Sequence, residues 1–278
     1  VKLCFLNFWG DFDPERNFFT LLLKKYREGV DIVSPEKADT IIYTCFGREH
    51  LKYNNCKKIF YTGENIRPNF NECDGSLTFD LDTYEGKNVR LPLWMLYIDW
   101  FNVGSYGNPC GLVPLEKIDI NKFSLKPRSK FCSIVVNHLN NKRAEIIESL
   151  EKYKSVEGKG KPFGNWDYGE DKKYDFNSQY KFTICFENTI YPGYHTEKLF
   201  HAKVAGCIPI YFGAKTACVD FNPNCFLNLI DYNSIEEFAE VIKQIDMDNN
   251  LYEKYRKEPL FSSVLNLDNI YNKISTIL

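Results

Sequence analysis

None of the ten cysteines forms a Cys-x-x-Cys pair, which removes zinc-ribbon and thioredoxin-type readings. His50, His138, His195 and His201 include no His-Glu-x-x-His and no i, i+4 pair, so no histidine metal site is expected. Gly-x-Gly-x-x-Gly, the P-loop pattern and Gly-x-Ser-x-Gly are also missing. Their absence excludes the common dinucleotide, NTPase and serine-hydrolase signatures. No apolar run approaches the roughly 20 residues that cross a bilayer, and no basic-then-apolar leader opens the chain. Positive charge is not in excess: 35 Lys plus Arg against 37 Asp plus Glu leave a net charge of −2. That is too weak a global field for non-specific nucleic-acid binding, although a local basic pocket is compatible with it.

What the chain does have is length and aromatic content. Its 278 residues suggest two domains at about 150 residues each, enough for real cores. Aromatics reach 16%, and flat rings suit sugars and nucleobases, although a large aromatic core is the commoner cause. Several cysteines sit inside apolar runs such as KLCFL and FTICF, where the thiol behaves as a small buried hydrophobe. Reduced thiols and a cytoplasmic setting are therefore expected. The first residue is Val1, which leaves a removed anchor open.

Strands and helices alternate along the chain. KLCFLNF, TIIYTCF and KKIFYTG have strand character, while Phe18, Phe19, Leu22, Leu23 and Tyr26 share one helical face. A looser Gly/Pro/Asn-containing stretch, residues 101–130, reads as a connection, with the boundary near residue 125. Beyond it FCSIVVN, FTICFEN and CIPIYFG read as strands, with helices over NKRAEIIESLEKY and from Glu197 to Ala205. Gly206 is placed to end the latter helix at C′. Ile235, Phe238, Ala239, Ile242 and Ile245 mark a further helix, and Leu260, Val264, Leu267, Tyr271, Ile274 and Leu278 a last one. The expected fold class is α/β, two layered halves with largely parallel sheets, and ligands in such sheets bind beyond the carboxyl ends of strands.

Asp-x-Asp occurs at Asp11/Asp13, Asp80/Asp82 and Asp246/Asp248 and could hold Mg²⁺ or Mn²⁺ against a nucleotide diphosphate, but solvated turns explain it more simply. The densest constellation is QYKFTICFENTIYPGYHTEKLFHAKVAGCIPIYFG. There a strand delivers Glu187 and Asn188 to a Pro/Gly loop, which feeds Thr196 as N-cap of a helix with Glu197 and Lys198 in its first turn. Free N–H groups, the positive dipole end and the mobile Lys198 charge would suit a diphosphate. Equally, Glu at a helix start favours the dipole and the lysine beside it is commonly solvated. From spacing alone the two readings balance.

This run resembles the motif of the α-1,3/1,4-fucosyltransferases, a Phe-Glu-Asn strand followed by a Tyr-x-Thr-Glu-Lys helix start and a small-residue, Pro-containing strand. The resemblance extends to NFWGD and KKIFYTGENIRPNFNECDGSLTFD in the first half, and to KFCSIVVN, Arg143 and LEKYKSVEGKGK in the second. It implies a GT-B architecture, two Rossmann-like domains facing across a cleft. Residues 1–125 would bind the acceptor and 126–258 GDP-fucose, with 259–278 a C-terminal helix packing back on the first domain. The implied reaction is inverting transfer from GDP-β-L-fucose, without a metal or other cofactor, to O3 of GlcNAc in an N-acetyllactosamine-type glycan, giving a Lewis X-type product.

By the same resemblance Glu64 of YTGEN is the general base and Glu197 orients the fucosyl ring or steadies its developing charge. Arg143 and Lys198 contact the donor phosphates, Tyr194 the nucleotide or fucose, and Asn188 the sugar. Glu187 either orients the Arg/Lys pair or touches the ribose. His195 stands where relatives often carry an apolar residue, so it either alters the donor pocket or faces solvent. A bacterial member would act in the cytoplasm on a surface glycan such as lipopolysaccharide, with peripheral membrane contact, whereas a Golgi-type member would have lost its anchor. Other donors, α-1,4 linkage, a Glc acceptor, a non-catalytic glycan-binding protein and, last, a glycosidase are the alternatives, and nucleic acid is not an expected partner.

Overall fold

The computed structural model describes residues 1–118, 128–164 and 170–278. The chain divides into two compact units, Val1–Leu112 with Val264–Leu278, and Val113–Ser263. The sequence-derived boundary near residue 125 lies outside the described residues, and the division by packing comes earlier, at 112/113.

The first unit is built on a six-stranded parallel sheet in the order β2-β1-β3-β4-β5-β6. Its strands are β1 (Lys2–Leu6), β2 (Asp31–Ile32), β3 (Thr40–Tyr43), β4 (Lys57–Tyr61), β5 (Gly75–Thr78) and β6 (Asn88–Arg90). Leu3, Ile41, Ile42, Ile59 and Leu77 are wholly buried, as expected when both faces of a parallel sheet are covered. Helix α1 (Phe18–Tyr26) crosses from β1 to β2; the Asn17 side chain caps it by accepting from the Thr20 N–H, 3.0 Å, and Phe18, Phe19, Leu22 and Leu23 are buried. Where regular helix alternation is expected, the β2–β3 and β3–β4 crossovers carry short 3-10 turns and the β4–β5 and β5–β6 connections carry no helix.

The second unit repeats the order on five parallel strands, β8-β7-β9-β10-β11. These are β7 (Lys130–Val135), β8 (Val156–Lys159), β9 (Tyr180–Ile184), β10 (Ile208–Tyr211) and β11 (Leu227–Asn228). Helices α2 (Asn141–Glu151), α3 (Glu170–Asn177), α4 (Glu197–Val204), α5 (Ile235–Met247) and α6 (Asn249–Lys257) cover them. Cys132, Ile134, Phe182, Ile184, Ile208 and Ile210 form the sheet's part of the core, with Phe238, Ile242 and Ile245 of α5 packed in the same cluster. Gly206 follows the cap of α4 with φ +81°, a backbone conformation that favours glycine, and a Cβ there would come 2.2 Å from Arg128 Nη2 and displace that side-chain end.

The last helix is shorter than its apolar spacing suggests. Leu260 is buried in a loop, Val264 is 95% exposed, and only α7 (Leu267–Ile274) is helical. Pro259 bars continuation of α6, and Asn266 starts α7 by accepting from the Asn269 N–H. Within the first unit, Tyr271 stacks on Tyr26 at 4.2 Å between ring centroids and accepts a hydrogen bond from Arg27 Nε at 3.1 Å. All ten cysteines are free thiols. Among the described residues no helix is long and apolar enough to cross a membrane.

Candidate functional site

In both sheets the strand order reverses beside the first strand of the unit, and the chain leaves the carboxyl ends of neighbouring strands in opposite directions there. In the first unit this switch point lies between β1 and β3, and β4 adds the turn that carries Glu64. The Glu64 N–H donates to the buried Thr62 Oγ1 at 2.9 Å, and its carbonyl accepts from the Ile66 N–H at 2.7 Å. Arg67 braces the same turn: Nη2 donates to Asn65 Oδ1 at 2.9 Å, Nε lies 3.2 Å from Asp80 Oδ2, and the guanidinium covers the Phe79 ring at 4.7 Å. The backbone is thus held while the Glu64 side chain stays exposed. It borders a pocket of about 180 Å³ whose walls include Trp9, Phe46, Leu93 and Tyr97. Trp9 is oriented by its Nε1–H, which donates to the Asn108 carbonyl at 2.8 Å.

In the second unit the switch point lies between β7 and β9. Asn140 caps α2 by accepting from the Arg143 N–H, which aims the arginine back at the two strand ends. Nη1 donates to the His138 carbonyl at 2.8 Å, and Nη2 to the Phe186 carbonyl at 2.6 Å and Asn188 Oδ1 at 2.9 Å. Arg143 is 3% exposed, burial lowers its pKa, and its Nε is a buried nitrogen without a protein partner. It therefore stitches the two loops together, with both terminal nitrogens bonded within the chain, where the resemblance implies a contact with the donor phosphates.

Glu187 organises the start of α4. One carboxylate oxygen accepts from the Thr196 N–H at 2.8 Å and the Tyr211 hydroxyl at 3.3 Å; the other accepts from Thr196 Oγ1 at 2.7 Å and Lys198 Nζ at 3.1 Å. Thr196 occupies the N-cap position of α4, but its hydroxyl makes no capping bond, and the orphan N–H is satisfied from nine residues upstream. Lys198 also donates to Thr196 Oγ1 at 2.8 Å and lies 3.8 Å from Glu197. The mobile charge expected from sequence is thus a fixed one, 20% exposed. Burial alone would lower the Lys198 ammonium, but the carboxylates of Glu187 and Glu197 outweigh it and raise its pKa. Burial alone would raise the Glu197 carboxyl, but Lys198 and Lys173 outweigh it and hold it down to about 2.

That shift links Glu197 to stability. Its folded pKa lies below the ordinary 4.5, so the contribution is present above about pH 4.5 and is lost as the pH falls toward 2. Glu197→Gln is expected to cost up to about 3 kcal/mol at pH 7, a difference that narrows at about pH 2.5. Urea denaturation at both pH values checks this, and a pH-independent difference contradicts it.

Asn188 is exposed and Tyr194 buried at the same strand end and loop. His195 neither faces solvent nor is spare: it is buried and bonded to Asp220 and Thr216. Tyr211, Thr216, Asp220 and Lys173, which reaches His201 Nδ1 at 3.3 Å, were not singled out by sequence, since each meets the site across a long chain separation. Each Asp-x-Asp pair has at least one aspartate engaged elsewhere, Asp13 by accepting from the Glu15 N–H at 2.8 Å. Asp80 faces Arg67 and Tyr84, Asp246 binds Lys154 and Lys181 at 2.6 and 2.7 Å, and Asp248 caps α6. Among the described residues no three His, Cys, Asp or Glu side chains are grouped to hold a metal.

Residues 3–97 match the family model of the α-(1,3)-fucosyltransferase FucT N-terminal domain, and residues 125–259 that of the C-terminal domain of glycosyltransferase family 10 (fucosyltransferase). The chain is similar to α-(1,3)-fucosyltransferase FucT of Helicobacter pylori, 30% identical over 283 residues, covering 91% of this chain and 58% of that protein. It is 34% identical over 138 residues to human 4-galactosyl-N-acetylglucosaminide 3-α-L-fucosyltransferase 9, covering 48% of this chain and 38% of that one. It thus spans less than three-fifths of the length of these relatives. A crystal structure of an α1,3-fucosyltransferase with GDP-fucose superposes with a TM-score of 0.76 at 26% identity, over 100% of this chain and 90% of that one.

Proposed function

Because this chain belongs to the fucosyltransferases of glycosyltransferase family 10, with a GT-B-type α/β fold of two Rossmann-like units, we propose that it transfers fucose from GDP-β-L-fucose to O3 of GlcNAc in an N-acetyllactosamine-type glycan. The observation that carries this reading is the cation fixed at a strand-end switch point. Lys198 is locked by Glu187 beside the first turn of α4, where a departing diphosphate needs positive charge. The acceptor choice draws support from the human relative, whose name specifies 3-fucosylation of a 4-galactosyl-N-acetylglucosaminide. The product is then of Lewis X type, on a surface glycan such as lipopolysaccharide, made at the cytoplasmic face of a bacterial membrane.

In this mechanism the Glu64 carboxylate takes the proton of the acceptor O3–H as that oxygen attacks C1 of fucose. The C1–O bond to the β-phosphate breaks on the opposite face, configuration inverts, and GDP leaves with the bonding electron pair. Exposure of Glu64 beside an aromatic-walled pocket suits this role, since apolar rings pack against sugar faces while the carboxylate meets the hydroxyl. Glu197, ionised throughout the working range, faces the positive charge that develops on the fucosyl ring. Lys198 binds the diphosphate directly. Arg143 contributes by holding Asn188 and the Phe186 carbonyl in place and by the charge it adds beneath them, and Glu187 is the positioning residue for Lys198. Asn188 bonds the sugar and Tyr194 lines the donor loop.

Incubation with GDP-fucose and N-acetyllactosamine in EDTA tests the reading. We expect a fucosylated trisaccharide with an α-1,3 bond to GlcNAc, because side-chain cations supply the charge that metal-dependent transferases take from a cation. Transfer only to another residue overturns the acceptor, and loss in EDTA with rescue by Mn²⁺ returns the Asp-x-Asp pairs to consideration.

A further inference from the structure

The loop that leads into α4 is held from a second side by a buried imidazole to which the proposed chemistry gives no role. His195 directly precedes the N-cap Thr196. Its Nδ1 lies 2.6 Å from Asp220 Oδ2 and its Nε2 3.1 Å from Thr216 Oγ1, and both side chains of the His–Asp pair are almost wholly buried. Thr216 and Asp220 belong to one 3-10 turn, Lys215–Val219 with Asp220 as its cap, just beyond β10. That turn is stiff. The Asp220 and Phe221 N–H groups both donate to the Ala217 carbonyl, and the Asn222 N–H donates to the Leu260 carbonyl at 2.8 Å. Thr216 Oγ1 also accepts the Gly193 N–H at 2.9 Å, at a residue whose φ of +84° makes it the bend of the loop.

The proton inventory gives the chain of bonds a direction. The Asp220 carboxylate can only accept, so in the neutral ring the proton sits on Nδ1 and the Nε2 lone pair takes the Thr216 O–H. The threonine oxygen is then free to accept from Gly193. Backbone amide, hydroxyl, imidazole and carboxylate thus run in one order from the loop bend to the rigid turn. An apolar side chain at 195 would break two of these bonds, the one to the buried Asp220 carboxylate among them.

We propose that His195, Thr216 and Asp220 are positioning residues of the donor site, a clamp that fixes residues 193–196 so that Glu197 and Lys198 are presented to the diphosphate sugar before it arrives. A preformed loop spares the ligand the ordering cost that a free loop imposes. The ligand's identity rests on the proposed transfer from GDP-fucose; the clamp itself does not.

Thr216→Val keeps the shape and removes the hydroxyl, while Thr216→Ser keeps the hydroxyl. The clamp predicts that Thr216→Val speeds exchange of the Gly193–Thr196 amides about tenfold in the ligand-free protein. It also predicts weaker GDP binding by calorimetry and a higher KM for GDP-fucose, each about tenfold, with kcat within about threefold and acceptor KM unchanged. Thr216→Ser is expected to restore all of these, and His195→Phe to exceed the valine variant. Wild-type amide exchange and GDP affinity in Thr216→Val, or equal losses in the valine and serine variants, overturn the proposal. A wild-type chain that binds no GDP overturns the donor reading instead, and the exchange comparison then still decides the clamp.

Discussion

Glu64→Gln is expected to lower turnover by about a hundredfold or more while GDP-fucose affinity stays within about twofold. The amide keeps the size of the carboxylate but cannot take a proton, and loss of a positioned general base costs ~10²–10⁴ in rate. Folding should be indifferent, because the turn is held by Glu64 backbone bonds to Thr62 and Ile66 and by the Arg67–Asp80 brace, none of which uses the Glu64 side chain. Steady-state kinetics with calorimetry in parallel separates the outcomes. Lost donor affinity with preserved kcat would falsify the role of base, and unchanged kinetics would move the base elsewhere.

Lys198→Met should do two things at once. GDP affinity is expected to fall on the order of a hundredfold, the scale of losing charge-assisted bonds to a diphosphate. Stability is expected to fall by about 3 kcal/mol, because Glu187, wholly buried, loses the one cation bonded to it and keeps the neutral donors of Thr196 and Tyr211 and the more distant attraction of Arg143. Adding Glu187→Gln to Lys198→Met removes the stranded charge and should recover most of that stability without recovering GDP binding. A double variant that regains affinity contradicts a direct Lys198–diphosphate contact, and a single variant of unchanged stability contradicts the buried pair. Urea denaturation and calorimetry read both.

Much of this arrangement is local and therefore visible in the order of residues. Apolar β-branched runs give the parallel strands, the Phe18–Leu23 spacing gives α1, and Gly206 ends α4 where a positive φ is needed. The run from Glu187 to Lys198 announces a strand, a loop and a helix start. One expectation failed because periodicity does not report competition. The apolar spacing from Leu260 to Leu278 is continuous, but Pro259 and the Asn266 cap confine the helix to Leu267–Ile274. Thr196 does stand at the N-cap position, but its hydroxyl is taken by Glu187 and makes no capping bond.

By itself the sequence determined the α/β class, the parallel strands, the family and the residues around which the proposed transfer site is argued, since these depend on short-range pattern and residue type. Tertiary structure alone decided which of those residues meet and in what state. Arg143 lies 43 and 45 positions from Phe186 and Asn188, and His195 lies 25 from Asp220; each pair meets only because β7, β9 and β10 are neighbours in the sheet. Glu187 turned a mobile lysine into a fixed one, Lys198 and Lys173 held Glu197 ionised down to about pH 2 against its burial, and burial made an imidazole that sequence left undecided into part of the frame. Strand order and desolvation act over the whole unit, and neither is written in any local window of the chain.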